Sequence, residues 1–408
     1  MAGMETPKDT APQPDSGGTP EGSAAPVEKK PAPAPAPAPA KPLPRRFTLS
    51  ASPHLRDTES VSRIMITVTL TLVPAALGAT WVFGLRALWL ILLGALAAVF
   101  TEWLVQRVFK MKVTVGDGSA LLTGILVSFN IPPGVPWWIP VAGSVFAIAI
   151  AKLPFGGLGW NPLNPALVGR AFLLASWPLH MTKDWLPPFW WKQGGFSFFT
   201  WQVNPQSILV DGVSYATPLE VRKTALKTVW DSANLPVNIV SQALDQLHST
   251  GQHVVDLAIG TVGGCIGETS ALLLLVGAAY LLYKNYIDWR TPFAFIGVVA
   301  LGGWMFGGEE FLGGDVLFDI FSGGLILGAF YMATDMVTTP ITKKGHLIFG
   351  AGAGVLTIMI RLIGGYPEGV SYSILLMNLL TPLIDRWTVP RRFGHDPKKA
   401  TAAAAGGA

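Results

Sequence analysis

Charge is what this sequence has least of. Only 13% of its 408 residues are Asp, Glu, Lys or Arg, about half the roughly 25% of an ordinary soluble domain. That excludes a water-soluble globule as the main body of the chain. Cysteine is nearly absent too: Cys265 is the single one. It excludes a disulfide framework, and also an iron–sulfur cluster held by this chain alone, since such clusters take about four thiolates. Within "AIGTVGGCIGETS" it reads as a small packed residue. No G-x-G-x-x-G run stands in strand–helix context, so no soluble nucleotide-binding domain is expected. Residues 1–44 lack the apolar run of a secretory signal. They pass through "PAPAPAPAPAKPLPRR" and read as a disordered tail that leans toward polyproline II.

What is there is apolar. Half of the residues are hydrophobic and the mean hydropathy is +0.44, which places the chain among all-α polytopic membrane proteins. At about 17–25 residues per helix, ten spans are expected: Arg63–Phe83, Ala87–Phe109, Ser119–Ile131, Trp137–Ala151, Pro165–Trp177, Val255–Tyr283, Pro292–Phe306, Val316–Ala333, His346–Ile363 and Ser371–Ile384. Several are short or interrupted by Gly and Pro. The expected layout is a tail (1–44), a first membrane half (45–178), an extracytoplasmic segment (179–254), a second half (255–386) and a C-terminal tail (387–408).

Basic residues orient the spans. Arg45, Arg46, Arg56, Arg63, Lys110, Lys112, Lys152, Lys284, Arg290, Lys343, Lys344, Arg386, Arg391, Arg392, Lys398 and Lys399 all fall on one side of a ten-span chain. By the positive-inside rule that side is the cytoplasm, so both termini are expected inside and the 179–254 segment outside. The formal net charge is only +4, and membrane lipid, not nucleic acid, is the expected surrounding. Trp137, Trp138, Trp185, Trp190 and Trp191 are expected as interface anchors. "LLTGILVSFNIPPGVP" and "LILGAFYMATDMVTTP" read as two copies of an inverted repeat with broken helices, an arrangement that builds ligand sites near the midplane. A flavin-free channel or secondary transporter shares that signature.

Charged groups within spans are costly and tend to be functional. Glu102, Arg170, Glu268, Asp335 and Arg361 qualify. A carboxylate beside threonine hydroxyls suits a hard cation or a proton, or an intramembrane ion pair. Asn161 and Asn164, in "GWNPLNPALVGR", offer donors and acceptors to a polar ring, or cap turns. In "DGVSYATPLE", Thr217 reads as the N-cap of an amphipathic helix over "PLEVRKTALKTVW". Its hydroxyl is equally a point for covalent attachment, with Arg222, Lys223 and Lys227 supplying positive charge beside a phosphate.

Several runs then act together. "ASPHLRDTESVSRIM", "GDGSALLTGILVSFNIPPG", "NPLNPALVGRAF", "DGVSYATPL", "IGETSALLLL", "YMATDMVTTP" and "SYSILLMNLLTPLID" resemble the RnfD family, the D component of the Rnf complex. That family is homologous to the NqrB component of the sodium-pumping NADH:quinone reductase. The resemblance runs from about Ser52 to Arg392. It implies a subunit of a bacterial inner-membrane translocase, inactive alone, that couples ferredoxin:NAD+ electron flow to Na+ or H+ movement beside the A, B, C, E and G components. It further implies FMN in phosphoester linkage to Thr217, attached by a flavin transferase that reads Asp211, Ser214, Ala216 and Thr217. Tyr215 stands where the family usually has glycine, and Met336 where it has proline. By analogy with the quinone-reductase component, Asn161 and Asn164 are candidates for a non-covalent riboflavin, and Asp335, then Glu102, for cation coupling.

Overall fold

The structure is a computed structural model that describes residues 59–192, 197–200, 217–230, 241–242, 254–308, 311–366 and 368–390. The N-terminal tail, most of the 179–254 segment and of the C-terminal tail lie outside the described residues, as do Asp211, Ser214, Tyr215 and Ala216.

Among the described residues all regular secondary structure is helical. The first two spans are α1 (Val61–Phe83) and α2 (Leu85–Val108), joined by Gly84 alone, whose φ of 75° permits the tight reversal. Both are long and apolar enough to cross a membrane, as are Trp138–Phe155 and Lys343–Ile363. Other expected spans are half-length. α3 (Ser119–Phe129) has 11 residues, about 16 Å at 1.5 Å per residue against a hydrocarbon core of about 30 Å. α4 (Trp138–Phe146) continues as a π-helical stretch, Ala147–Lys152, and α5 (Pro165–Ser176) follows.

The second half begins with α7 (Val254–Ile259) and α8 (Ala271–Tyr283), after α6 (Pro218–Trp230). Then come α9 (Arg290–Phe306), α10 (Val316–Phe321), and α11 (Leu325–Leu327), which runs on as a π-helix over Gly328–Met332. α12 (Lys343–Ile363) and α13 (Val370–Thr388) complete the bundle. Each of the ten expected spans therefore holds helix, but the third, fifth, sixth and eighth are short or broken.

The breaks meet one another. The Ile266 N–H, between α7 and α8, donates to the Ile131 carbonyl just past α3 at 3.0 Å. Tyr331 donates to the Leu274 carbonyl of α8 at 3.0 Å. Unwound backbone inside a membrane protein is tolerated only where other protein groups satisfy it, and here each break supplies the other's partner. Gly260 turns the α7 break at φ 96°, and a Cβ there would strike the Thr269 carbonyl. α2 and α3 touch through Gly94 and Gly124, the small-residue contact expected where lipid gives no hydrophobic drive to association.

Two ends can be distinguished. Ser62 bonds the Gly116 carbonyl at 3.1 Å and Thr291 meets His346 at 2.9 Å, gathering the loops that carry Lys110, Lys112, Lys284, Arg290, Lys343 and Lys344 at one basic end. At the far end Arg86 binds the Pro133, Gly134 and Val135 carbonyls and Arg222 binds that of Gly307. Lys152 departs from its expected place among the basic loops: it is 1% exposed, because its ammonium finds a carboxylate inside. Trp185 and Trp190 also depart from the belt. Both are buried, and the Trp190 ring N–H donates to the Phe83 carbonyl at 3.0 Å.

Candidate functional site

The breaks position three groups of polar side chains. At the far end, Thr217 immediately precedes α6, and its Oγ1 accepts the Glu220 N–H at 3.3 Å. The capping role read from "ATPLE" is therefore present. Thr217 is buried. It lines a narrow cleft of about 20 Å³ with Gly263, Gly264, Glu268, Gly323 and Glu368. Glu368 also borders a wider cavity of about 250 Å³, whose wall includes Trp185, Tyr366, Tyr372, Arg170 and Glu220. Burial, and then the charge of Glu368, push the Glu220 carboxyl above its ordinary value, against the helix-end hydrogen bond.

The cations expected around Thr217 are engaged elsewhere. Arg222 donates to the Gly307 carbonyl at 2.6 Å, pairs with Asp319 at 3.1 Å and lies over the Phe318 ring. Lys223 caps the end of α12 through the Ile360, Gly364 and Tyr366 carbonyls; burial and then Lys227 lower its pKa. Lys227 is exposed. The helix period explains this correction for Arg222 and Lys223: at about 100° per residue, positions five and six beyond a cap lie on the other side of the helix from it.

At the crossing of the broken segments, Arg170 of α5 donates to Asn130 at 2.9 Å and Ser371 at 2.8 Å, and forms an ion pair with Glu368. Cys265 Sγ lies 4.0 Å from Glu368, and the Glu268 Oε2 accepts the Cys265 N–H at 3.3 Å. Arg361 reaches the Asp319 and Ser322 carbonyls at 2.8 and 3.0 Å. Asp319, Glu368 and Ser371 were not singled out in the sequence; each becomes visible only when its partner arginine is placed.

Toward the basic end lies a third space, about 80 Å³, lined by Asn161, Asn164, Asp335, Lys152, Tyr331 and Tyr286, among others. It brings together residues chosen from separate motifs. Asn164 caps α5 through the Ala166 N–H at 3.0 Å and donates to the Met332 carbonyl at 3.2 Å. Asn161 donates to the Leu163 carbonyl at 3.0 Å, and its Oδ1 has no partner among the described residues. Asp335 accepts from the Val337 N–H at 3.4 Å and Thr338 at 3.2 Å, with no ion pair among the described residues. Glu102 sits apart. Both its oxygens lie 3.0 Å from the Lys152 ammonium, which also bonds Ser119 at 2.6 Å, and Gln106 adds a bond at 3.1 Å. Glu102 thus already holds a cation supplied by the chain.

The bundle thus holds a cavity toward each end, with the Arg170–Glu368 ion pair at the crossing between the broken segments. Residues 48–394 match the NQR2, RnfD, RnfE family. A Clostridium ljungdahlii protein, named as the D component of a proton-translocating ferredoxin:NAD(+) oxidoreductase complex, is 47% identical over 85% of this chain and 96% of its own. An Acetobacterium woodii protein, named as the D component of a Na(+)-translocating ferredoxin:NAD(+) oxidoreductase complex, is 44% identical, over 88% of this chain and 98% of its own. An Escherichia coli protein, named as the D component of an ion-translocating oxidoreductase complex, is 38% identical, over 86% and 99%.

Proposed function

Because the chain belongs to the NQR2, RnfD, RnfE family, we propose that it is the membrane electron-transfer subunit of an Rnf-type ion-translocating ferredoxin:NAD+ oxidoreductase, with FMN in phosphoester linkage to Thr217. The observation that carries the reading is the setting of Thr217: a hydroxyl at the N-terminus of α6, in a cleft that shares Glu368 with a wider cavity walled by Trp185, Tyr366 and Tyr372. A helix N-terminus offers unpaired N–H groups to a phosphate, and aromatic walls suit an isoalloxazine. These groups fit an FMN ester once Thr217 leaves its capping bond. The flavin supplies one- and two-electron chemistry when bound; the protein binds, orients and screens it.

Asn161 and Asn164 would hold a second, non-covalent flavin such as riboflavin in the basic-end cavity, where the Asn161 Oδ1 offers a free acceptor. Asp335, on the same cavity, is the candidate for cation coupling. The relatives' names divide between proton and Na(+), so similarity does not choose the ion. The A, B, C, E and G components of the complex are the expected partners, with a flavin transferase for maturation. By the positive-inside rule the basic end faces the cytoplasm of a bacterial inner membrane and Thr217 faces outward.

Two measurements test this. Expressed with a flavin transferase and run on a denaturing gel, the chain gives a fluorescent band that Thr217→Val abolishes; a dark wild-type band, beside a fluorescent flavoprotein control, refutes the linkage. Asn164→Leu lowers the flavin released by acid from the native protein by roughly tenfold or more, the scale expected when a ring loses a buried hydrogen-bonding partner. Unchanged release would remove Asn164 from the site.

A further inference from the structure

The far half of the bundle pairs its charges unevenly. Arg170 takes Glu368, and Asp319 takes both Arg222, at 3.1 Å, and Arg361, at 3.7 Å. Glu268 is left without an ion pair among the described residues. Its Oε2 accepts the Cys265 N–H. Its Oε1 is sealed from solvent and has no hydrogen-bond partner among the described residues. Gly264 and Gly324 flank the two oxygens, and a Cβ on either would lie 3.3 Å from Oε2 or 2.8 Å from Oε1. Backbone therefore closes on the carboxyl from these two sides, the Cys265 thiol and the Glu368 carboxylate approach it from others, and no donor among the described residues hydrogen-bonds Oε1.

An ionised carboxylate with a bare oxygen in such a place is disfavoured strongly, and the neutral acid escapes the penalty. We propose that Glu268 is the exchangeable-proton site of the Thr217 cleft, standing as a carboxylic acid with its proton on the unpartnered oxygen. The cleft lined by Thr217, Glu268 and Glu368 measures about 20 Å³, room for about one water, enough for a proton bridge between the acid and whatever Thr217 carries. From the elements packed around it, the charged and titratable groups facing Glu268 are Glu368, Arg170 of α5, Arg361 of α12 and Cys265. Glu368 is neutralised by Arg170, so a proton leaving Glu268 leaves its charge beside two arginines. The link to a redox ring at Thr217 rests on the function proposed above; the protonated state of Glu268 does not.

The test uses the purified chain in detergent, without flavin. Dicyclohexylcarbodiimide adds the O–H of a carboxylic acid across one C=N bond, the proton going to nitrogen, and the acyl group then migrates to give a stable N-acylurea. Ionised carboxylates do not react. Mass spectrometry at neutral pH is expected to place the adduct on Glu268, at least tenfold above the ion-paired Glu102, Asp319 and Glu368, with labelling falling as pH rises. Infrared spectra are expected to show a carboxylic C=O band that Glu268→Gln removes, while its thermal midpoint stays that of the wild type. Absence of both the adduct and the band overturns the proposal. In the flavinylated complex, Glu268→Gln is then expected to flatten the pH dependence of the Thr217 flavin's reduction potential. An unaltered slope, with the label present, would leave Glu268 a proton site but sever its tie to the flavin.

Discussion

Lys152→Met is expected to destabilise the protein in detergent by about 3–5 kcal/mol, the usual cost of stripping one partner from a buried ion pair. The side chains of Lys152 and Glu102 are 2% and 1% exposed, so solvent screening offers no relief. Without the ammonium, Glu102 keeps, among the described residues, only the Gln106 amide at 3.1 Å and the Thr114 hydroxyl at 3.4 Å, and Ser119 loses its bond to Nζ. Adding Glu102→Gln removes the stranded charge while keeping an acceptor for Gln106 and Thr114. Most of the loss should therefore return in the double variant, since replacing a whole buried pair is often close to neutral. The lone buried thiol of Cys265 makes the measurement direct: a maleimide dye reacts with it only as the bundle opens. A Lys152→Met midpoint equal to wild type would mean that the pair contributes nothing. The result also bears on ion coupling, because Glu102 can take a transported cation only after Lys152 gives it up.

The ten helical segments and the Thr217 cap were legible in local sequence, because apolar run length, Pro position and cap residues act over a few neighbours, and the family was legible in the resemblance of whole motifs. What was not legible depends on which break meets which. Lys152 looked like a loop cation because it follows an apolar run; it is buried because Glu102, fifty positions away, waits on α2. Arg222 and Lys223 looked like phosphate ligands from their nearness in sequence to Thr217, yet the helix turns them onto Asp319 and the α12 carbonyls. Asp335, Asn161 and Asn164 came from two distant motifs assigned to separate tasks, and the fold sets them around one cavity. Glu268 was one of several intramembrane acids. Only the pairing of the others marks it as the one in the far half left, among the described residues, with no arginine of its own.

Arg222→Met should free α6 while leaving the membrane bundle intact. α6 has 13 residues, a length at which an isolated helix is marginal in water, so its order depends on what it holds. It holds by three means: Leu219, Ala225 and Leu226 are buried, Lys223 bonds the carbonyls at the end of α12, and Arg222 ties it to Asp319 on α10 and to the Gly307 carbonyl at the end of α9. Removing the guanidinium deletes the charge-assisted hydrogen bond to Gly307, worth roughly 1.5–3 kcal/mol, together with the ion pair to Asp319. Asp319 retains Arg361 at 3.7 Å, which confines the damage to α6. Opening of that helix should rise on the order of ten- to a hundredfold, read as the rate at which a protease cuts within Pro218–Trp230 while Cys265 stays protected from the maleimide dye. Arg222→Lys should fall between, because a single ammonium cannot reproduce the fork that spans an acid and a carbonyl. Covalent flavin should follow the same order, since Thr217 depends on α6 for its place beside the cleft. An unchanged cutting rate would mean that the apolar contacts and the Lys223 bonds suffice to hold α6, and the Arg222–Asp319 pair would then have no part in presenting Thr217.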